Sequence, residues 1–262
     1  MCYTEKKFKG VFTMSNTIKL SCKTKPLMVA HRGVSGLEKE NTHGAFIAAG
    51  NRSYYGIETD IYRTIDGQYV CLHDSNTSRV GIDNIDVTEC TYETIRNLKL
   101  CGMSGEKDRN DICIPTLGEY IQICKRYEKV AVVELKQIFS MEQLNEIRDI
   151  IKAQDWLDHT VFIAFGLENL ITLRQIDEKQ TAQYLISGKY YREGGTDEAL
   201  IDTLNQYDLD LDIRYDILTK ELAQAVHDAG KKINVWTVND LDYAVLLSDE
   251  MQVDYITSNI LE

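Results

Sequence analysis

Glu58 and Asp60 stand two positions apart at the end of a short apolar run, residues 56–61 (GIETDI). On a β-strand, side chains two positions apart share a face, so both carboxylates would point the same way. A third acid, Glu134, closes another apolar run, residues 130–135 (VAVVEL), and Lys136 follows it. Carboxylates brought together repel unless a proton or a cation lies between them. Three carboxylate oxygens suit one hard divalent cation, Mg2+ or Ca2+, and do not suit zinc, which prefers nitrogen and sulfur. His31 and His73 also end apolar runs, residues 26–30 (PLMVA) and 69–72 (YVCL). Imidazoles titrate near neutrality, so a pair beside a metal offers one general base and one general acid. Which is which stays open at this level. Arg32, a two-pronged donor, and Lys136, a point charge, are the cations a phosphodiester needs. His43, His159 and His227 fall in a first helix, a loop and an amphipathic helix, away from strand ends.

These groups meet only if the runs that carry them surround one axis. Eight runs read as such strands: 26–30, 56–61, 130–135, 161–165, 182–186, 209–213, 233–237 and 253–257. Helix signals lie between most of them. Asn41–Thr42 can cap a helix that stops at Gly50; Thr116, Ser140, Thr219 and Asp240 open others, and Gly230 closes one. Strands alternating with helices of about 10–13 residues argue for a parallel sheet. Eight such units predict an α/β fold, a closed (β/α)8 TIM barrel, with a doubly wound open sheet as the competitor. In a barrel the chemistry sits at the carboxyl ends of the strands, where His31, Arg32, Glu58, Asp60, Glu134, Lys136 and the aromatic Trp236 fall. The run 69–72 follows the second strand after an Asp66-Gly67 turn. A parallel crossover needs about a dozen residues or more, so this run is expected to fold back antiparallel, outside the barrel count. Residues 75–113 form a small insertion after the second barrel strand, with a helix near 91–98 and a polar loop at 101–111. One barrel domain spans 26–262, preceded by residues 1–25 as a tail or short cap without the apolar run of a signal peptide.

Composition narrows the partners. The net charge is −12, which disfavours nucleic acid and anionic membranes. No run is long and apolar enough to span a bilayer. The seven cysteines contain no CxxC pair and are expected to be free thiols, Cys71 and Cys113 buried, in a cytoplasmic, reducing setting. The expected partner is a small soluble phosphodiester; the oligomeric state is left open.

The strings HRG (31–33), ENTHGAF (40–46), GIETDIYRTIDGQYVCLHD (56–74), IPTLGEY (114–120), VVELK (132–136), WTVN (236–239) and DYITSN (254–259) resemble the glycerophosphodiester phosphodiesterase family in order and spacing. The resemblance implies a (β/α)8 barrel, a divalent cation and hydrolysis of glycerophosphodiesters to an alcohol and glycerol 3-phosphate. It makes His31 and His73 the acid–base pair, Glu58, Asp60 and Glu134 the metal ligands, and Arg32 and Lys136 the phosphate binders. It gives Glu40 and Asn41 a bracing role at the site and makes Trp236 a wall for the glycerol. The chain departs from the pattern at Lys39 (commonly Pro), in a shortened Arg79-Val80-Gly81, and at Ser258-Asn259 (commonly with Asp). None of these departures is expected to touch the histidines or the three carboxylates; they bear on the mouth of the pocket.

Rival readings are a lysophospholipase D-type or cyclising phosphodiesterase, and a binding module that keeps the fold without catalysis. Acyl substrates would need an apolar rim or loop, and the insertion is mostly polar, which favours a soluble substrate. A module without catalysis is disfavoured because both histidines and all three acids are present.

Overall fold

The computed structural model describes residues 16–106 and 111–262. Its strands are β1 (Leu27–Ala30), β2 (Gly56–Arg63), β3 (Tyr69–Cys71), β4 (Val130–Leu135), β5 (Thr160–Ala164), β6 (Ala182–Ile186), β7 (Asp210–Arg214), β8 (Ile233–Trp236) and β9 (Tyr255–Ser258). All but β3 run parallel, in the order β1-β9-β8-β7-β6-β5-β4-β2, and β1 also pairs with β2. That last pairing closes eight strands into a (β/α)8 barrel. β3 returns antiparallel on the far end of β2, with Ile61 opposite Cys71, as the Asp-Gly turn requires.

Helices fill the crossovers: α1 (His43–Gly50), α2 (Tyr92–Arg96), α3 (Leu117–Arg126), α4 (Met141–Lys152), α5 (Leu167–Ile176), α6 (Gly188–Arg192), α7 (Asp197–Gln206), α8 (Lys220–Asp228) and α9 (Leu241–Met251). Their starts follow local chemistry. Thr116 with Glu119, and Ser140 with Gln143, close capping boxes on α3 and α4; such a cap contributes about 1 kcal/mol. Thr42 caps α1 through the Ala45 amide. Asn41 beside it does not cap; it turns toward the barrel.

Alternation along the strands separates two cores. Val29, Val132, Ile163 and Leu185 face inward and fill the barrel. Their neighbours, such as Ala131, Val133, Phe162 and Ala164, face outward against the helices in the main core. The insertion builds a third cluster: Val80, Val87, Ile95, Leu98, Leu100 and Ile112 bury themselves on Val70, Leu72 and Ile114. It is therefore more than a polar excursion, because its alternate apolar residues converge on the outer side of β3. Residues 107–110 of its loop lie outside the described residues, as do residues 1–15 of the tail. The rest of the tail straps the chain ends together: the Leu20 amide donates to the Glu262 carbonyl at 2.7 Å, and Glu262 donates to Ile18 at 2.8 Å. Cys71 is buried, whereas Cys113 is only partly so.

Candidate active site

Register puts the acids together. β2 and β4 pair with Glu58 opposite Val132 and Asp60 opposite Glu134, so all three carboxyls project into the upper barrel. All are buried, and each offers an oxygen within 4.8 Å of the other two. Lys136 Nζ lies 2.8 Å from Glu134 Oε1 and 3.4 Å from Asp60 Oδ1. Arg32 Nε lies 3.4 Å from Asp60 Oδ2, and the Arg32 amide donates to Glu58 Oε2 at 2.7 Å. Asn41 donates to Asp60 Oδ2 at 2.8 Å and in turn accepts from Thr59 Oγ1 at 2.8 Å. Asp60 Oδ1 has no hydrogen-bond partner; Lys136 reaches it at ion-pair distance without the alignment of a hydrogen bond.

The electrostatics fit a cation. Burial opposes ionisation of all three acids. For Asp60, Lys136 and Arg32 overcome that penalty and hold the carboxyl below its usual range. For Glu58, burial and the Asp60 charge push the value well up. Burial and then Asp60 raise Glu134 to about 8, despite Lys136. The metal-free cluster thus keeps protons where a hard divalent ion would otherwise neutralise the oxygens. The unpartnered Asp60 oxygen and the all-oxygen donor set agree with Mg2+ or Ca2+.

The two histidines flank this cluster in one pocket with Arg32. His31 follows β1, and the backbone turns at once: Arg32 is left-handed (φ 54°) and Gly33 follows at φ 75°. A side chain on Gly33 would meet Ala45 backbone atoms at 2.6–2.7 Å, so glycine is required for the turn to press against α1. His31 Nδ1 lies 2.7 Å from Asn259 Oδ1, which also accepts from Ser35 Oγ at 2.7 Å. Burial, then Arg32, lowers His31 to about 4. His73 sits beside Asp60 because the Leu72 amide donates to the Asp60 carbonyl at 3.0 Å. Its Nδ1 pairs with Asp74 at 2.7 Å. Burial lowers its pKa as well, against the pull of Asp60. Both rings thus have Nδ1 occupied and Nε2 available.

Two departures from the family pattern prove to sit on these groups, contrary to expectation. Asn259 is the partner of His31. Arg79 donates to Asp74 at 2.7 Å and, through both terminal nitrogens, to Glu40 at 2.5 and 2.9 Å; Glu40 also accepts from Arg32 at 2.9 Å. Arg79 therefore ties the partner of His73 to the partner of Arg32. Neither contact was visible in the sequence, because the partners lie up to 228 positions apart.

The rest of the pocket is walled by Phe165, Leu185, Asp212 and Trp236. The Trp236 indole donates to the Asp212 carbonyl at 3.3 Å and meets Phe165 edge-on at 5.6 Å. Asp212 is a residue sequence reasoning passed over; its place in the alternating LDLDI run was the available signal. Of the other histidines, His43 pairs with Glu119 and His227 with Asp254, and His159 stacks on Trp156. A second hollow opens at the opposite, amino end of the barrel between Tyr55, His159, Lys232 and Tyr255, and contains neither the three clustered acids nor His31, His73, Arg32 or Lys136.

Comparison with known proteins identifies the family. A glycerophosphodiester phosphodiesterase of Caldanaerobacter subterraneus subsp. tengcongensis is 30% identical over 217 residues, 82% of this chain and 86% of the relative. Among solved structures, a phosphodiesterase of Oleispira antarctica in complex with the product sn-glycerol-3-phosphate superposes with a TM-score of 0.74 at 23% identity, covering 90% of this chain and 93% of that one. A glycerophosphodiester phosphodiesterase of Thermotoga maritima does so at 0.70 and 22%, covering 90% and 95%; both establish the shared fold. The sequence model of the glycerophosphoryl diester phosphodiesterase family matches residues 31–261, and the chain belongs to that family.

Proposed function

We propose that this protein hydrolyses a soluble glycerophosphodiester to an alcohol and sn-glycerol 3-phosphate, with one divalent cation, Mg2+ or Ca2+, held by Glu58, Asp60 and Glu134. The observation that carries the reading is a buried three-carboxylate cluster flanked, in one pocket, by two histidines with Nε2 free. Those three carboxylates would hold the cation, which when bound would supply Lewis-acid polarisation of the phosphoryl group. Arg32 and Lys136 bind the phosphate oxygens, each already aimed by its carboxylate. Glu40 braces Arg32, Asn41 braces Asp60, and Trp236 walls the glycerol.

The histidines divide the proton work by what stands behind them. Asn259 is neutral and gives His31 a hydrogen bond without a counter-charge, so His31 Nε2 takes the proton from water. Asp74 is anionic and favours an imidazolium against the burial that lowers the His73 pKa, so of the two rings His73 is the one placed to deliver a proton from Nε2 to the leaving oxygen. Free thiols at all described cysteines suit a reducing, cytoplasmic setting.

Purified protein is expected to release glycerol 3-phosphate from glycerophosphocholine, to lose that activity in EDTA and to regain it with Mg2+ or Ca2+. Undiminished turnover in chelator would remove the metal from the mechanism. A lysophospholipase D-type second reading has one observation in its favour. Beside the pocket, Phe165 is 44% exposed and Ile138 60%, and the Ile138 side chain lies over Gly166. This apolar ridge would accommodate an acyl chain, and lysophosphatidylcholine turned over faster than glycerophosphocholine would favour it.

A further inference from the structure

Asp212 is the buried group that this mechanism leaves unused. It projects from β7 into the same pocket, opposite Leu185 in the strand register. Its relative exposure is 1%, and Oδ1 has no hydrogen-bond partner. Asn234, opposite it on β8, exchanges its side-chain hydrogen bonds with Thr257. The two cations of the site face elsewhere: Arg32 is held by Glu40 and Asp60, and Lys136 by Glu134 and Asp60. Asp212 also falls outside the three-carboxylate group. Its apolar neighbours within the barrel are Ile163 and Leu185, and the charge it feels from Glu134 is a like charge, so the packing supplies it no counter-charge. A buried acceptor without a partner costs roughly 1–3 kcal/mol, a penalty expected to be offset by a ligand.

We propose that Asp212 is a specificity-determining residue: its free carboxyl oxygen accepts a hydrogen bond from a hydroxyl of the glycerol moiety, whose carbon chain lies along Trp236. The inference rests on the glycerophosphodiester reading above. The phosphate is gripped on the β1, β2 and β4 side of the barrel, and Asp212 lies across the pocket on β7. The terminal torsion of an aspartate is broad, so the carboxyl can turn its oxygen toward an entering hydroxyl. A pocket built to bond a hydroxyl discriminates against an analogue that lacks it, because the buried polar group is then left unpaired.

The test is calorimetric, on the full chain loaded with Mg2+, with three ligands: sn-glycerol 3-phosphate, propyl phosphate, which keeps the carbons without the hydroxyls, and inorganic phosphate. Wild type is expected to prefer glycerol 3-phosphate over propyl phosphate by roughly 10–100-fold, the cost of leaving a buried acceptor unpaired. Asp212→Leu is expected to abolish that preference while changing inorganic phosphate by less than about twofold, within the usual scatter of uncoupled sites. Asp212→Asn keeps an oxygen acceptor and is expected to retain most of the preference. A wild type without the preference overturns the proposal even if Asp212→Leu fails to fold. So does an Asp212→Leu protein that keeps the preference or weakens all three ligands alike. If glycerophosphodiester turnover is intact in any of those cases, the anchor alone has failed. Absence of both turnover and binding of every phosphate would instead defeat the hydrolytic reading, and the anchor with it.

Discussion

At the scale of single residues, the proposed proton chemistry turns on what stands behind each histidine nitrogen. Asn259 leaves His31 without a counter-charge, and burial and Arg32 together bring it to about 4. Asn259→Asp would place an anion 2.7 Å from Nδ1. An anion favours the protonated ring, so the His31 pKa rises and the neutral base becomes available only at higher pH. The acid limb of the pH–rate profile is therefore expected to move upward, with the high-pH plateau retained. A profile that stays in place would separate His31 from the base role. The residues legible in the sequence were those whose spacing carried information: Glu58 and Asp60 on one strand face, and Glu134, His31 and His73 at strand ends. Asn259, Arg79 and Asp212 were not, for a physical reason. Asn259 and Arg79 act through partners brought close only by barrel closure and by the insertion. Asp212 lies in mid-strand, where an acid reads as an outward-facing surface group until the register is known.

At the scale of elements, periodicity was the stronger signal. β4 and β6 match their apolar runs residue for residue, and the antiparallel return of β3 followed from loop length alone. α5 has a weakly amphipathic pattern, and α6 and α7 share one crossover; a single helical period fits none of that stretch well. The character of the insertion was not legible, because its apolar residues pair with no local repeat and meet only on β3. The element that matters most for chemistry is the turn after β1. Gly33→Ala forces a Cβ into the backbone of α1 at a positive φ. Strain of that kind costs about 1–3 kcal/mol, and each kcal/mol lowers the melting temperature of a domain this size by roughly 2–4 °C. The variant is expected to melt lower and to lose turnover as well, since the same turn aims the Arg32 amide at Glu58. A thermal scan beside an activity assay checks both. Normal activity at reduced stability would detach the turn from the site.

At the scale of the whole molecule, the acid cluster opposes folding unless protons or a cation neutralise it. Glu134 keeps its proton to about 8 in the folded, metal-free chain, against an ordinary 4.5. Between those values the folded state binds the proton that the unfolded state has lost. Stability from this group is therefore full at low pH and falls as pH rises through that window. Metal-free protein is expected to melt progressively lower from pH 5 to about pH 8, and Glu134→Gln to flatten that slope. A hundredfold excess of cation over its Kd contributes about 2.7 kcal/mol, so saturating Mg2+ or Ca2+ is expected to raise the melting temperature by about 5–10 °C. A charge of −12 also attracts divalent ions non-specifically, and Glu134→Gln is the control. Equal metal shifts in wild type and variant would reduce the effect to surface screening. The central claim, that the two histidines work the protons of a phosphodiester held at this cluster, is tested most directly by turnover of glycerophosphocholine in His31→Ala and His73→Ala at saturating metal. Each variant is expected to keep the metal-induced melting shift and to lose roughly 10²–10⁴-fold in rate, the range for one general acid or base. Either variant retaining turnover within a few-fold of wild type, with its metal shift intact, would contradict the account.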